Sequence, residues 1–331
     1  GSLLAVFQED IKRLLAYSSM GQLGYIVLAF GLMSGLGWTT ALYLTVLHLL
    51  FKGILFLAAA GVIHRTGTRL MYGMGGLIKK MPISFITVLI GIIAVSGVPP
   101  LAGFGGKWLL YTALLESGSY VLTGVAFFSG TLAFLYLFRL IHTVFLGQLK
   151  VEHRQVKEAP LLLVLPQLLF MLAIMAVSSF PRLLMGPASR AAETAFPAAL
   201  EWEGFTAVSS LGYFNGPAVM TITMAVFALI LIWLLLVQRR PQTVKQFNIV
   251  FAAERPHRPE TSHFAHNFFA PYKKALGFLT EPLATRVWSG VNEAAGAIGG
   301  ALRRIYTGNG QTYALHILLF VGVLYFLIER L

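Results

Sequence analysis

Seven stretches of this 331-residue chain, each 17 to 33 residues long, carry little but apolar side chains: about 15–32, 41–63, 83–115, 121–147, 161–180, 219–237 and 312–328. A helix needs roughly 17–25 apolar residues to cross the hydrocarbon core of a bilayer. The pattern predicts an all-α, polytopic membrane helix bundle with about seven transmembrane helices, one of them broken. Composition fits, with 57% hydrophobic and 11% charged residues, against roughly 25% charged in soluble domains. Cysteine is absent, which excludes thiolate-held metals and iron–sulfur clusters on this chain.

The net charge of +12 is explained by topology rather than by nucleic acid. Alternating spans place Lys12 and Arg13, then Arg65, Arg69, Lys79 and Lys80, then Lys150, Arg154 and Lys157 on one side, with ten more basic residues between Arg239 and Arg304. The opposite side holds only Arg182, Arg190 and Arg330. The positive-inside rule makes the first side cytoplasmic, or its organellar equivalent, and leaves the C-terminus external.

Lys52 and Lys107 break this logic, because each lies inside an apolar run. A charged side chain at mid-bilayer costs roughly 2.5–3.5 kcal/mol, so it usually lines an ion or proton path. The chain has one Asp, Asp10, and none of its Glu falls well inside a span. Neither lysine therefore has an obvious carboxylate partner here. Removal from water favours the neutral form of an amine, so such a lysine can load and release a proton, switched by a carboxylate on a neighbouring chain. His48 stands four residues before Lys52, on the same helix face, within reach of a direct or water-bridged transfer. Arg139 and His142 form a similar i, i+3 pair in the fourth span. Ser18, Ser19, Gln22 and Thr45 are further candidates, either holding water along a path or joining helices.

The third span is interrupted by Gly97-Val-Pro-Pro-Leu-Ala-Gly-Phe-Gly-Gly-Lys107. Pro99 and Pro100 with Gly103, Gly105 and Gly106 are expected to end the helix before Lys107 and to act as a hinge. Backbone freed this way is tolerated only beside protein or a polar cavity, and in transporters such breaks mark the ion site. The motif is not a nucleotide-binding loop: Leu101 stands where the first glycine would, and Trp108 replaces the magnesium-holding Ser or Thr. The glycines at 73, 75 and 76 are likewise too short a pattern for a dinucleotide site.

Three segments resemble a known family. Asp10-Ile-Lys-Arg-Leu-Leu-Ala-Tyr-Ser-Ser19 with Gly21-Gln-Leu-Gly-Tyr25, then His48-x-x-x-Lys52, then the broken helix ending at Lys107, are similar in order and spacing to the antiporter-like proton-translocating membrane subunits. These occur in respiratory complex I, in membrane-bound [NiFe] hydrogenases and formate hydrogenlyases, and in Mrp-type cation/proton antiporters. The resemblance covers 1 to about 147 strongly and the rest more loosely. It implies that Lys52, Lys107 and His48 relay protons and that this region is the second of two inverted repeats. It also implies partners: membrane subunits of a larger complex, one of them supplying a buried Glu and a broken-helix Lys, together with lipids but no nucleic acid. No cofactor is expected on this chain; iron–sulfur clusters, flavin or a nickel–iron centre, and quinone would belong to partners. The chain departs from the family at Leu44, where some members have a second histidine, and at Trp108, where an acidic residue can follow the lysine.

The expected organisation is 1–147 as the repeat, 148–237 as two further spans, 238–311 as a basic surface region and 312–331 as an anchor. In the basic region Tyr272, Leu276, Leu279, Leu283, Val287, Val291, Ala295, Ile298, Leu302 and Ile305 recur at helical spacing. With Lys273, Lys274, Arg286, Arg303 and Arg304 they predict an amphipathic helix along the membrane surface, divided at Pro282 and capped by Thr280. Gly1 is not an initiator and the first methionine is Met20, so the chain is expected to be the C-terminal part of something larger or one half of a split protein, in a prokaryotic cytoplasmic membrane. Three functions are consistent with this reading. They are a proton-translocating subunit of a redox-driven complex, an Mrp-type Na+/H+ antiporter component, and a structural subunit with an inactive channel.

Overall fold

The computed structural model describes residues 1–147, 149–237, 274–277, 282–305 and 308–329. It divides into two units, Gly1–Leu276 and Gly277–Leu331.

The first unit opens with a short helix α1 (Ser2–Val6) and continues through α2 (Ile11–Gly31), α3 (Gly35–Thr66), α4 (Pro82–Ser96), α5 (Ala102–Glu116), α6 (Tyr120–Val144) and α7 (Leu161–Ser179). An amphipathic α8 (Arg182–Ala192), a three-stranded antiparallel sheet and a helix α9 (Gly216–Val237) follow. The second unit holds α10 (Leu283–Ile305) and α11 (Gly310–Ile328). Helices α2, α3, α6, α7, α9 and α11 are each long and apolar enough to cross a membrane. Helices α4 and α5 have 15 residues each, about 22 Å at 1.5 Å per residue, and singly fall short of a roughly 30 Å hydrocarbon core. The protein is thus a multi-pass integral membrane protein.

Start and stop signals explain the element boundaries. Asp10, the chain's one aspartate, caps α2 by accepting from the Lys12 and Arg13 amides at 2.8 and 3.2 Å, and also pairs with Arg69 at 3.4 Å. Ser34 caps α3, and Gly67 ends it in the left-handed conformation that glycine adopts at least cost. With 32 residues, α3 is the central helix. It packs against α2, α4, α5, α7 and α8, which is why its residue 52 can be buried although it is a lysine.

Two features were not anticipated from the sequence. One is α8; the other is the sheet of β1 (Glu201–Glu203), β2 (Thr206–Ser209) and β3 (Gly212–Asn215). Each strand pair is joined by a two-residue turn, with Gly204 at φ +63° in the first. A glycine between alternating residues was the available hairpin signal. The sheet packs on α5, where Phe214 stacks on Trp108 at 5.6 Å. Glu116 accepts a hydrogen bond from Ser210, in the turn between β2 and β3.

A helix begins at Leu283, directly after Pro282. Within its own unit the apolar positions Leu283, Val287, Val291, Ile298 and Leu302 are exposed. Tyr272, Lys273, Leu279 and Thr280, assigned to the same stripe and its cap, and Arg330 lie outside the described residues.

Candidate proton-carrying site

Lys52 is 5% exposed. Its ammonium donates to the Ser18 hydroxyl and to the Leu15 carbonyl of α2, the latter at 3.2 Å. Ser19 donates to that same carbonyl at 3.0 Å. Every acceptor is neutral, and among the described residues no ion pair reaches Lys52. A buried ammonium is therefore held by groups that orient it without compensating its charge.

Lys107 is built into the break. Helix α4 ends at Ser96, and Gly97 follows with φ +68° in the left-handed region. The lysine stem runs over Gly97 so closely that a Cβ there would come within 2.5 Å of Cδ. The ammonium donates to the Ser96 carbonyl at 2.5 Å. It satisfies one of the carbonyls that a helix end leaves bare, at the negative pole of the α4 dipole. Helix α5 resumes at Ala102, so Lys107 lies in its second turn. The break is only 97–101, shorter than expected, because Gly103, Gly105 and Gly106 are helical. Their smallness permits close packing. A Cβ on Gly103 would lie 1.7 Å from the Ala94 carbonyl, one on Gly105 would press on Met185 and Phe214, and one on Gly106 would press on Leu44.

The flanks of the break are clasped by α7 and the residues just before it. Glu158 accepts from the Ile83 amide at 2.7 Å and the Ser84 hydroxyl at 2.6 Å, capping α4 from another element. In mid-helix Thr87 donates to Gln167 at 2.7 Å. At the break Ser178 accepts from the Ala102 amide at 2.8 Å, capping α5. Sequence reading missed Glu158 and Ser178, because long-range caps leave no local signal. Ser178→Ala should destabilise the first unit by about 1 kcal/mol, the usual cost of a lost cap, visible as a lower thermal midpoint in detergent.

Other expected residues fall in three groups. His48 is half-buried, one turn from Lys52 and within its electrostatic reach, with an edge contact to Phe51 at 5.7 Å. Its Nδ1 has no hydrogen-bond partner among the described residues, and the neighbouring Thr45 and Leu49 are exposed. Gln22 is buried one turn beyond Ser18, whereas Thr45 bonds back to Ala41 at 2.8 Å. Arg139 is elsewhere: it donates to the Val6 carbonyl at the end of α1 at 2.5 Å and to the Tyr72 hydroxyl at 2.6 Å. Burial pushes the Tyr72 hydroxyl pKa up despite that arginine. His142 stacks on Phe138 at 5.5 Å. The structure thus does not bring Arg139 and His142 into the Lys52 cluster.

Residues 1–134 match the family described as NADH:quinone oxidoreductase/Mrp antiporter, TM. Over that stretch the chain is similar to this family. NADH-quinone oxidoreductase subunit L of Rickettsia typhi is 39% identical over 150 residues, which is 45% of this chain and 22% of that protein. An Na(+)/H(+) antiporter subunit from Alkalihalophilus pseudofirmus is 32% identical over 210 residues, 56% of this chain and 26% of that protein. The chain therefore spans about a quarter of the curated relatives it matches. Among solved structures, the membrane-bound sulfane sulfur reductase, an archaeal respiratory membrane complex, contains a chain that superposes with a TM-score of 0.80 at 29% identity. That likeness covers 98% of this chain and 53% of the other. It extends well past the matched family segment. The antiporter likeness thus bears on the region around the lysines, and the likeness to a chain of the sulfane sulfur reductase complex extends to the helices that follow.

Proposed function

We propose that this chain is a proton-translocating, antiporter-like subunit of a redox-driven membrane complex, with Lys52 and Lys107 as proton carriers and His48 as the group that loads Lys52. The observation that carries this reading is the setting of the two lysines. Both are held among neutral carbonyls and hydroxyls in packed helices, one of them at a broken helix end, and among the described residues neither has an ion-pair partner. The half-buried His48, flanked by exposed Thr45 and Leu49, marks the side of α3 on which a neighbouring membrane chain would pack. That neighbour would carry a buried Glu and its own broken-helix Lys, and its carboxylate would set the charge on Lys52. Iron–sulfur, flavin or nickel–iron centres and quinone would sit on other subunits. The membrane would be a prokaryotic cytoplasmic one, and the positive-inside rule supports a C-terminus outside it.

The long match to an Na(+)/H(+) antiporter subunit supports a second reading, a component of a cation/proton antiporter. Purifying the native complex and reconstituting it in vesicles separates the two. The first reading expects proton uptake driven by electron transfer and unchanged by sodium, and Lys107→Met should reduce it roughly tenfold or more. Sodium-dependent proton exchange without any redox partner chain would favour the second.

A further inference from the structure

The space between the two lysines is not apolar. Ser18, Gln22 and Tyr25 succeed one another along the buried face of α2. Opposite them on α6, Tyr136 is fully buried and its hydroxyl faces Ser18 and Gln22. Among the described residues that hydroxyl completes no direct hydrogen bond of good geometry, and buried hydroxyls in such a setting are ordinarily served by ordered water. Tyr25 donates to the Ala126 carbonyl at 3.0 Å, faces Ser129, and lies within electrostatic reach of Tyr136 and Tyr111.

The far end of this seam is marked by Gly130 of α6. A Cβ placed there would lie 2.9 Å from the Lys107 Nζ, 3.4 Å from the Tyr111 hydroxyl and 3.7 Å from the Tyr25 hydroxyl. Lys107 therefore rests on bare helix backbone, with two tyrosine hydroxyls converging on the same spot. The near end is the bond from Lys52 to Ser18.

We propose that protons pass between Lys52 and Lys107 along this α2–α6 seam, through the hydroxyls of Ser18, Tyr136 and Tyr25, with Gln22 and water bridging between them. The inference rests on the proton-carrier reading above and adds the route. Each step makes one O–H or N–H bond and breaks another. Lys52 gives up a proton and becomes an amine; each hydroxyl takes a proton on a lone pair and releases its own; Lys107, waiting as an amine, ends as the ammonium. No electron moves. On this route His48 lies upstream of Lys52, while Gly130 keeps the last hand-over short.

The test is proton translocation per electron transferred by the intact complex in vesicles, in Tyr25→Phe, Tyr136→Phe and the double variant. Each substitution removes one oxygen and keeps the ring. The route predicts normal assembly and electron transfer with a loss of translocation of roughly tenfold or more in the double variant. Gly130→Ala, which loses no titratable or hydroxyl group, should also impair translocation. If the double variant fails to assemble, Tyr25→Phe alone decides by the same ratio. Wild-type translocation in the tyrosine variants, with Lys52→Met inactive, would overturn the route and leave the carrier role intact. Wild-type translocation in Lys52→Met as well would overturn both.

Discussion

Lys52→Met should assemble normally and lose proton translocation by roughly a hundredfold, within the range that a single positioned proton carrier typically contributes. Methionine fills similar volume, keeps the helix, and removes a buried charge whose partners are all neutral, so α2–α3 packing should survive. Ser18 and the Leu15 carbonyl lose a donor, yet Ser19 still bonds to that carbonyl. Lys52→Arg should fail as well, since arginine holds its proton throughout the working pH range. The measurement is proton uptake in vesicles at matched amounts of assembled complex. A structural lysine would give the opposite pattern, with Lys52→Met lowering assembly and Lys52→Arg restoring both.

Gly103→Ala should be the most damaging small change. The added Cβ would meet the Ala94 carbonyl at 1.7 Å, and this obstacle is backbone, so no rotamer change relieves it. Overpacking in well-packed interiors costs typically 1–3 kcal/mol, and a backbone clash across the break should lie at about the top of that range or above. Because α4 and α5 must part, the Ser96 carbonyl and Lys107 should separate, and translocation should fall although every titratable group remains. The thermal midpoint of the purified complex and its proton-to-electron ratio should decline together. Pro99→Ala with Pro100→Ala tests the same break more gently: it lets the helix run on, which moves Lys107, and it should reduce translocation with less loss of stability.

Much of this was legible in the sequence, for a physical reason. Transmembrane helices must satisfy their own backbone, so apolar run length reports span number almost directly. The two lysines stood out because charge is expensive inside such runs. Side-chain surroundings were less legible. Hydropathy places Lys52 in a span but does not say which helix faces it, and Ser18 and Ser19 looked equivalent until α2 was seen to turn Ser18 toward α3. The extent of the break was overestimated because glycine was read as a helix breaker, whereas Gly103, Gly105 and Gly106 serve to let other chain segments approach. Tyr25 entered only as part of a motif and Tyr136 not at all, since a tyrosine in an apolar helix reads as core until its hydroxyl is placed. The pairing of Glu158 and Ser178 with distant helix ends left no periodic trace at all.

The most direct measurement of the central claim is a structure of the intact complex at a resolution that shows ordered water. Water is expected on the Tyr136 hydroxyl, with a continuous polar line from the Lys52 to the Lys107 ammonium and a carboxylate of a neighbouring chain within water-bridging reach of His48 or Lys52. A dry seam between the lysines, with no carboxylate near either of them, would contradict it.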